Sequence, residues 1–187
     1  MVGLGNPGRE YEGTRHNVGA DAVRLLGERH GERLRAEKGL RAEVAPWRAA
    51  QGLVALAVPS TYMNDSGLAV AALVRRFGVA DVGRLVVVHD ELDLPAGRVK
   101  VKAGGGTAGH NGLRSIHAHL HDTGYVRVRI GIGKPPGRQS GADFVLRRPG
   151  VAERTLLDVA VERAADAVES IVAEGVDAAM TRFNAAD

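Results

Sequence analysis

The sequence predicts a single mixed α/β domain, and three observations carry that expectation. Short β-branched runs alternate with segments of helical apolar spacing along the whole chain. With 187 residues, 44% of them hydrophobic, the chain is long enough to bury one sizeable core. No internal repeat divides residues 1–187, and the glycine run Gly104–Gly106 is the sole low-complexity stretch.

Val2–Gly5 reads as a short strand cut close to the terminus. From Asn17 to about Arg29, Val18, Ala22, Leu25 and Leu26 recur at helical spacing, and Gly31 marks the stop. Leu40–Trp47 and Leu53–Val58 read as strands, and the polar, glycine-containing AAQG between them predicts a hairpin. Ser66–Phe77 is helical, with Asn64, Asp65 or Ser66 available as cap and Gly78 as its stop. RLVVVH at Arg84–His89 is apolar through its middle, the mark of a central strand covered on both faces. Val99–Lys102 alternates apolar and basic residues, so one of its faces is wet and positive. The glycine-rich AGGGTAGHNG then feeds a helix running to about His121. Val126–Ile132 is a further strand, followed by KPPGRQSGADF, an irregular basic connection. Val151–Glu174 predicts a long amphipathic helix and Val176–Phe183 another.

Gly3, Gly5 and Gly8 match G-x-G-x-x-G, the spacing of a dinucleotide-binding loop, but the chemistry of that loop is missing. Pro7 removes a backbone donor from the segment that should hold phosphate and biases Asn6 away from the helical region. REYEGTRHN, which follows, is polar and broken by Gly13, and Glu28 lies inside a helical pattern where the fingerprint needs an acid at a strand end. Absence of cysteine rules out a disulfide framework, a thiolate zinc site and a cysteine nucleophile, and it fits a reducing cytoplasm. MVGLGNPG lacks the basic start and apolar core of a signal peptide, and no apolar run approaches the ~20 residues of a membrane span, so a soluble cytoplasmic protein is expected. A formal net charge of +3 is a mild basic excess that matters only if concentrated on one face.

Asn6, His16, Asn64, Asp90 and Asn111 each lie just past a predicted strand or at a helix entrance, where open α/β sheets gather ligands. Most have an ordinary explanation: a turn at Asn6, a cap-region histidine at His16, an N-cap at Asn64, a tight loop at Asn111. Asp90 is harder to dismiss, because the three acids of HDELDLP directly after an apolar strand exceed what a turn needs. Together they suggest chemistry. His16 suits a general base near neutral pH, and Asp90 would fix its tautomer and stabilise its protonated form. The amides of Asn6, Asn64 and Asn111 would hold a water or a substrate carbonyl and stabilise oxyanion charge. With neither a G-x-S-x-G elbow nor a cysteine, activated water is the expected nucleophile.

His117, His119 and His121 alternate, but on a helix only His117 and His121 share a face, and no acid accompanies them as in H-E-x-x-H, so no metal site is expected there. Lys100, Lys102, Arg129, Lys134, Arg138, Arg147 and Arg148 flank the same cleft in sequence; if they share a face, the substrate is polyanionic.

GLGNPGREYEGTRHNVG at 3–19, PSTYMNDSG at 59–67, HDELDLPAG at 89–97, GGGTAGHNGLRSI at 104–116 and RVRIGIGKPPG at 127–137 together resemble, in order and spacing, the motifs of bacterial-type peptidyl-tRNA hydrolases. The resemblance runs from Val2 to about Phe183. It implies a monomeric, phosphorylase/hydrolase-like α/β fold whose mixed, mostly parallel central sheet is wrapped by helices. It also implies cleavage of the ester between a peptide and the terminal ribose of transfer RNA, with peptidyl-tRNA as partner and with no metal or cofactor. By motif position His16 resembles the catalytic base and Asp90 its supporting carboxylate. Asn6, Asn64 and Asn111 resemble the amides that orient water and hold the peptide, while Tyr11, Met63 and His110 line the same cleft. Lys100, Lys102 and Arg129 resemble residues that hold the phosphates of the transfer RNA. The segments from Pro95 to about Gly112 and from Arg138 to about Val151 resemble rims that gate the site. The short first strand departs from the family pattern, and Asp65 and Thr107 stand where the family varies. Two other classes remain distinguishable by experiment. A non-catalytic RNA-binding module would bind in a salt-dependent way without deacylation and leave His16 and Asp90 without a role. A hydrolase of small esters or amides would ignore the loss of Lys102 or Arg129.

Overall fold

A computed structural model describes residues 1–137 and 139–185; Arg138, one of the basic residues singled out above, lies outside the described residues. The strands are β1 (Val2–Gly3), β2 (Arg35–Glu37), β3 (Ala42–Ala49), β4 (Gly52–Pro59), β5 (Val86–Glu91), β6 (Val99–Ala103) and β7 (Val126–Gly131). The helices are α1 (Val18–Arg29), α2 (Ser66–Arg76), α3 (Asn111–Leu120), α4 (Gly141–Val145), α5 (Val151–Glu174) and α6 (Val176–Asn184). All seven strands form one sheet in the order β2-β3-β4-β1-β5-β7-β6. Its centre, β4-β1-β5-β7, is parallel, whereas β2 and β3 on one flank and β6 on the other pair antiparallel. The mixed sheet with a parallel core is therefore present.

Strand periodicity divides the interior into two layers. On one face Val86 and Val88 of β5 pack with Leu26 of α1 and Leu157, Ala164 and Val168 of α5. On the other, Val87 joins Val70 and Leu73 of α2, Leu113 and Ile116 of α3, and Tyr125. β5 is buried at every position, which is why Val86–Val88 runs apolar instead of alternating, and its last three residues, His89, Asp90 and Glu91, are buried with hydrogen-bonding or ionic partners. After β1 the chain turns through α1 toward the β2–β4 flank, and after β5 it leaves for the β6–β7 flank. The adjacent carboxyl ends of β1 and β5 thus form a topological switch point, the place where a crevice opens in sheets of this kind.

The glycines of the opening motif serve packing. A Cβ on Gly3 would stand 2.3 Å from the carbonyl oxygen of Gly19, and one on Gly19 would stand 2.2 Å from that of Val88. Both positions must stay bare so that α1 can touch the strands backbone to backbone. The expected strand Val2–Gly5 ends at Gly3, because Leu4 already divides its bonds: its N–H donates to Val88 O (3.0 Å) while its carbonyl accepts from Ala20 N (2.9 Å) on α1.

The hairpin is β3–β4, two residues later at its start than expected. Lys38–Leu40 forms a 3-10 turn, and Arg41 takes a left-handed conformation (φ 52°) before the strand begins. β2 is an exposed three-residue strand with no periodicity for sequence reasoning to detect. β5 begins at Val86 instead of Arg84, since Val82–Arg84 is a 3-10 turn capped by the Asp81 carboxylate. Asp65 stands at the N-cap of α2, as one of the expected candidates, but its side chain makes no capping bond; a 3-10 turn over Met63–Asp65 leads into the helix, and the Ser66 hydroxyl donates to Met63 O at 2.7 Å. The stretch expected to be irregular after β7 contains α4, a short helix capped by Ser140. Among the described residues, no helix is long and apolar enough to cross a membrane.

Candidate active site

His16 sits in a 3-10 turn (Arg15–Asn17) at the entrance to α1, and the turn before it is closed by the Thr14 hydroxyl donating to Tyr11 O at 2.7 Å. Asp90 stands near the carboxyl end of β5. The crevice brings the two together: His16 Nδ1 lies 2.9 and 3.0 Å from the two carboxylate oxygens, with the side chains only 8% and 2% exposed. Asp90 also receives His110 Nε2 at 2.9 Å. The tautomer of His110 is fixed by its other nitrogen, because Nδ1 accepts the backbone N–H groups of Gly112 and Leu113 at 3.1 and 3.3 Å and so caps α3. The proton of neutral His110 therefore sits on Nε2 and points at Asp90.

These contacts set the ionisation of the group. Burial opposes charge on Asp90, but the charges and hydrogen bonds of His16 and His110 outweigh it, holding the carboxyl well below its ordinary range. Burial likewise pulls His16 down, yet the charge and hydrogen bond of Asp90 prevail, and its pKa rises above the ordinary 6.5. Neutral His16, with its Nδ1 proton directed at Asp90, presents the Nε2 lone pair to the cleft. Behind the pair His89 is fully enclosed; burial and the neighbouring His110 push it down to about 3, and its neutral ring donates through Nδ1 to Asp90 O at 2.7 Å.

His16 stands where two pockets meet. One, of about 280 Å³, runs past Asp90, Glu91, Leu92 and the Ala108–His110 loop. The other, of about 200 Å³, runs past Asn6, Tyr11, Tyr62, Met63 and Asn64. Both share His16, Asn111, Ala142 and Val145. The rings of Tyr11 and Tyr62 meet edge to face, 6.2 Å between centres, and wall the second pocket. A larger cavity of about 380 Å³, lined by Met1, Leu53, Phe77 and Leu85, contains none of the predicted site residues.

Asn6 has a determined orientation. Its Oδ1 accepts the Met63 N–H at 2.7 Å, so its Nδ2 donors face the pocket. Asn17, which sequence reasoning passed over, holds it from behind: Asn17 Oδ1 accepts the Asn6 N–H (2.8 Å) and Asn17 Nδ2 donates to the Asn6 carbonyl (2.9 Å). Only the TRHN context hinted at Asn17, since in sequence it reads as a helix entrance. Asn64 and Asn111 are exposed at the pockets, and their side-chain amides have no protein partner among the described residues.

The basic residues divide. Lys100 and Lys102 of β6 lie opposite Arg129 and Arg127 of β7. Arg129 pairs with Glu91, a wall of the first pocket, at 3.0 Å, so of this group Arg129 reaches the edge of that pocket. Arg127, not singled out from sequence, is buried and donates to Gly106 O at 2.6 Å and to Gly104 O, tying down the glycine-rich loop. Lys134 pairs with Asp93, and Arg148 donates to the carbonyls of Glu12 and Arg9. His117, His119 and His121 also separate: His117 packs on Tyr125, His119 bonds Ser115 O, and His121 adopts a left-handed conformation at the end of α3. Among the described residues, the spacing of a metal site occurs at His16, Asp90 and His110, whose candidate atoms lie within 4.8 Å of one another. Its hydrogen-bond pattern is that of a proton-sharing group, since His110 turns an N–H, not a lone pair, toward the carboxylate.

A family model described as peptidyl-tRNA hydrolase matches residues 1–187. A peptidyl-tRNA hydrolase of Nocardia farcinica (strain IFM 10152) is 52% identical over 184 residues, covering 98% of this chain and 95% of its own. One from Cutibacterium acnes (strain DSM 16379 / KPA171202) is 48% identical over 194 residues, covering 98% and 96%. The crystal structure of peptidyl-tRNA hydrolase from Acinetobacter baumannii is similar with a TM-score of 0.91 at 37% identity, over 98% of this chain and 93% of that one.

Proposed function

The chain belongs to the peptidyl-tRNA hydrolase family, and from that premise we propose how this cleft carries out the reaction. The protein hydrolyses the ester of peptidyl-tRNA, releasing peptide and free tRNA for reuse in translation. In this reading it works in the cytoplasm as one domain spanning 1–187, monomeric, with neither metal nor cofactor.

His16 Nε2 takes a proton from water as the oxygen attacks the ester carbonyl carbon, and Asp90 stabilises the imidazolium that forms. The tetrahedral oxyanion accepts a hydrogen bond from a side-chain amide. Asn6 is the better-supported donor because Met63 N–H already occupies its oxygen, while Asn111, at the meeting of the pockets, orients the water. Collapse of the intermediate expels the ribose oxygen, which recovers the proton from His16.

The two pockets correspond to the two halves of the ester. The aromatic and amide-lined pocket with Tyr11, Met63 and Asn64 receives the peptide, and the pocket by Glu91 and His110, with Arg129 at its edge and Lys100 and Lys102 on the adjacent strand, receives the terminal nucleotide. Asn64 and Asn111 bind the peptide's first amide; an unblocked aminoacyl ester, bearing a charged amine there, leaves these groups unpaired and is rejected.

The observation carrying this reading is the His16–Asp90 bond on the far side of the ring from the point where both pockets meet. The test is release of N-acetylaminoacyl groups from tRNA in chelator, with unblocked aminoacyl-tRNA in parallel and His16→Ala as control. Cleavage confined to the blocked ester and lost in the variant supports the assignment; binding without cleavage replaces it with the RNA-binding module.

A further inference from the structure

Arg15 is a buried cation one residue before His16, and no step above uses it. Its Nε and Nη2 each lie 2.6 Å from an oxygen of Glu153, in the first turn of α5. Its Nη1 donates to the carbonyls of Phe144 (3.2 Å) and Arg147 (3.0 Å) at the end of α4, and its guanidinium carbon stands 4.0 Å from the centre of the Phe144 ring. The Arg15 backbone N–H reaches Arg147 O as well, at 3.4 Å. One residue therefore joins the catalytic turn, α4 and the start of α5.

What it joins is a wall of the site. α4 has five residues, too few to persist without tertiary support. Yet Ala142 and Val145 line both pockets beside His16, Gly141 lines the first and Leu146 the second.

We propose that Arg15, clasped to Glu153, is a positioning residue for the hydrolysis: it sets the place of α4 beside His16, and with it the fit of both substrate halves, without touching the reacting atoms. The proposal rests on the reading of this cleft as the ester site. The planar guanidinium can serve a carboxylate, two carbonyls and a ring at once, which the point charge of lysine cannot. The pair is also poorly screened, since Arg15 is 8% and Glu153 26% exposed.

Glu153→Gln keeps the size of the side chain but removes its charge and one arm of the clasp; Arg15→Lys keeps the charge and removes the fork. Three measurements decide: kinetics on N-acetylaminoacyl-tRNA, hydrogen exchange at the amides of residues 141–147, and the thermal midpoint. In Glu153→Gln, KM rises about tenfold while kcat stays within about threefold, because binding geometry is lost and the His16–Asp90 chemistry is intact. Exchange at 141–147 quickens by about tenfold, with β5 and the interior of α5 at the wild-type rate. Arg15→Lys shows the same pattern more strongly, and the double variant is no worse than Arg15→Lys alone, since both break one clasp. If Arg15→Lys does not fold, Glu153→Gln decides by itself. Unchanged KM and exchange in that variant overturn the proposal, and so does exchange quickening alike in α4, β5 and α5 with a lowered midpoint, which marks a general structural role. Exchange is measured without substrate, so its outcome is independent of the ester-site reading, which the blocked-ester assay of the wild type settles.

Discussion

Asp90→Asn is the perturbation that tests the catalytic arrangement most sharply, because the structure dictates how the amide must turn. His110 is held with its proton on Nε2 by the two backbone N–H groups at its Nδ1, so it will take the oxygen of the introduced amide. The NH₂ group then stands in place of Oδ2, 3.0 Å from His16 Nδ1, so His16 meets a donor where it had an acceptor and keeps only the oxygen it shares with His110, which favours moving its proton to Nε2, where the base needs its lone pair. The variant also loses the attraction between imidazolium and carboxylate, roughly 5 kcal/mol at 3 Å with an effective dielectric of about 20, part of which burial already offsets. A loss in kcat of about 10²- to 10⁴-fold follows, the range for a misdirected or missing general base. The pH profile moves in a direction that simple damage does not produce. In the wild type kcat/KM rises as His16 loses its proton, with a midpoint above the ordinary 6.5 because Asp90 outweighs burial. Without the carboxylate only burial remains, so the acid limb shifts to lower pH even as the plateau falls. The double variant Asp90→Asn/His110→Ala frees the amide to offer its oxygen to His16, and about tenfold of the rate returns. The assay is steady-state release from N-acetylaminoacyl-tRNA across pH. A limb that stays in place or moves upward, or a single variant within a few-fold of wild-type rate, refutes the reasoning.

The remaining expectations use other parts of the molecule. His89 is held at about 3 in the fold against 6.5 in the open chain, so between those values the unfolded state binds the extra proton and stability falls as pH falls, by up to about 5 kcal/mol in all. The buried Met1 amino group, lowered from 8.0 to about 5, gives a slope of the same sign above pH 5, and Asp90 contributes as pH falls through the carboxylate range. The His89 part is therefore the difference between wild type and His89→Gln in urea titrations from about pH 4 to pH 7, where the variant should show the shallower slope. Asn6→Asp keeps the acceptor for Met63 N–H but turns negative charge toward the oxyanion; kcat should fall by about 10²- to 10³-fold, further than in Asn6→Ala, and equal losses would remove Asn6 from the oxyanion role. Lys102→Ala should weaken binding of deacylated tRNA, reduce the salt dependence by about one phosphate contact and spare the melting temperature. Arg129→Ala strands the buried Glu91 and should lower the melting temperature too; an unchanged salt slope in both variants would take the RNA away from this face. Gly19→Ala places a Cβ 2.2 Å from Val88 O, a backbone atom that cannot swing aside, and should cost about 1–3 kcal/mol in chemical denaturation.

The difference between what the sequence announced and what only the fold reveals follows from the range over which each signal acts. Apolar periodicity is local, so β5, α1, α2 and α5 were legible to within a couple of residues, while β2, exposed and three residues long, was not. Site residues at the ends of strands were legible because the fold class says where such ends converge, and His16, Asp90, Asn6, Asn64 and Asn111 do border one cleft. Illegible were the contacts that make those residues chemically specific. Asn17 reads as a helix entrance, yet it fixes the backbone of Asn6 across eleven positions. His110 reads as a cleft lining, yet a helix cap at one nitrogen determines what it offers Asp90 at the other. Glu153 reads as an ordinary acid in a first helical turn, and its partner lies 138 positions away. A motif names the group that reacts, because residue type alone limits which side chains can take a proton near neutral pH. The tautomer, the amide face and the position of the wall are decided by partners that strand order brings together, and their physical reading begins with the hydrogen-bond network.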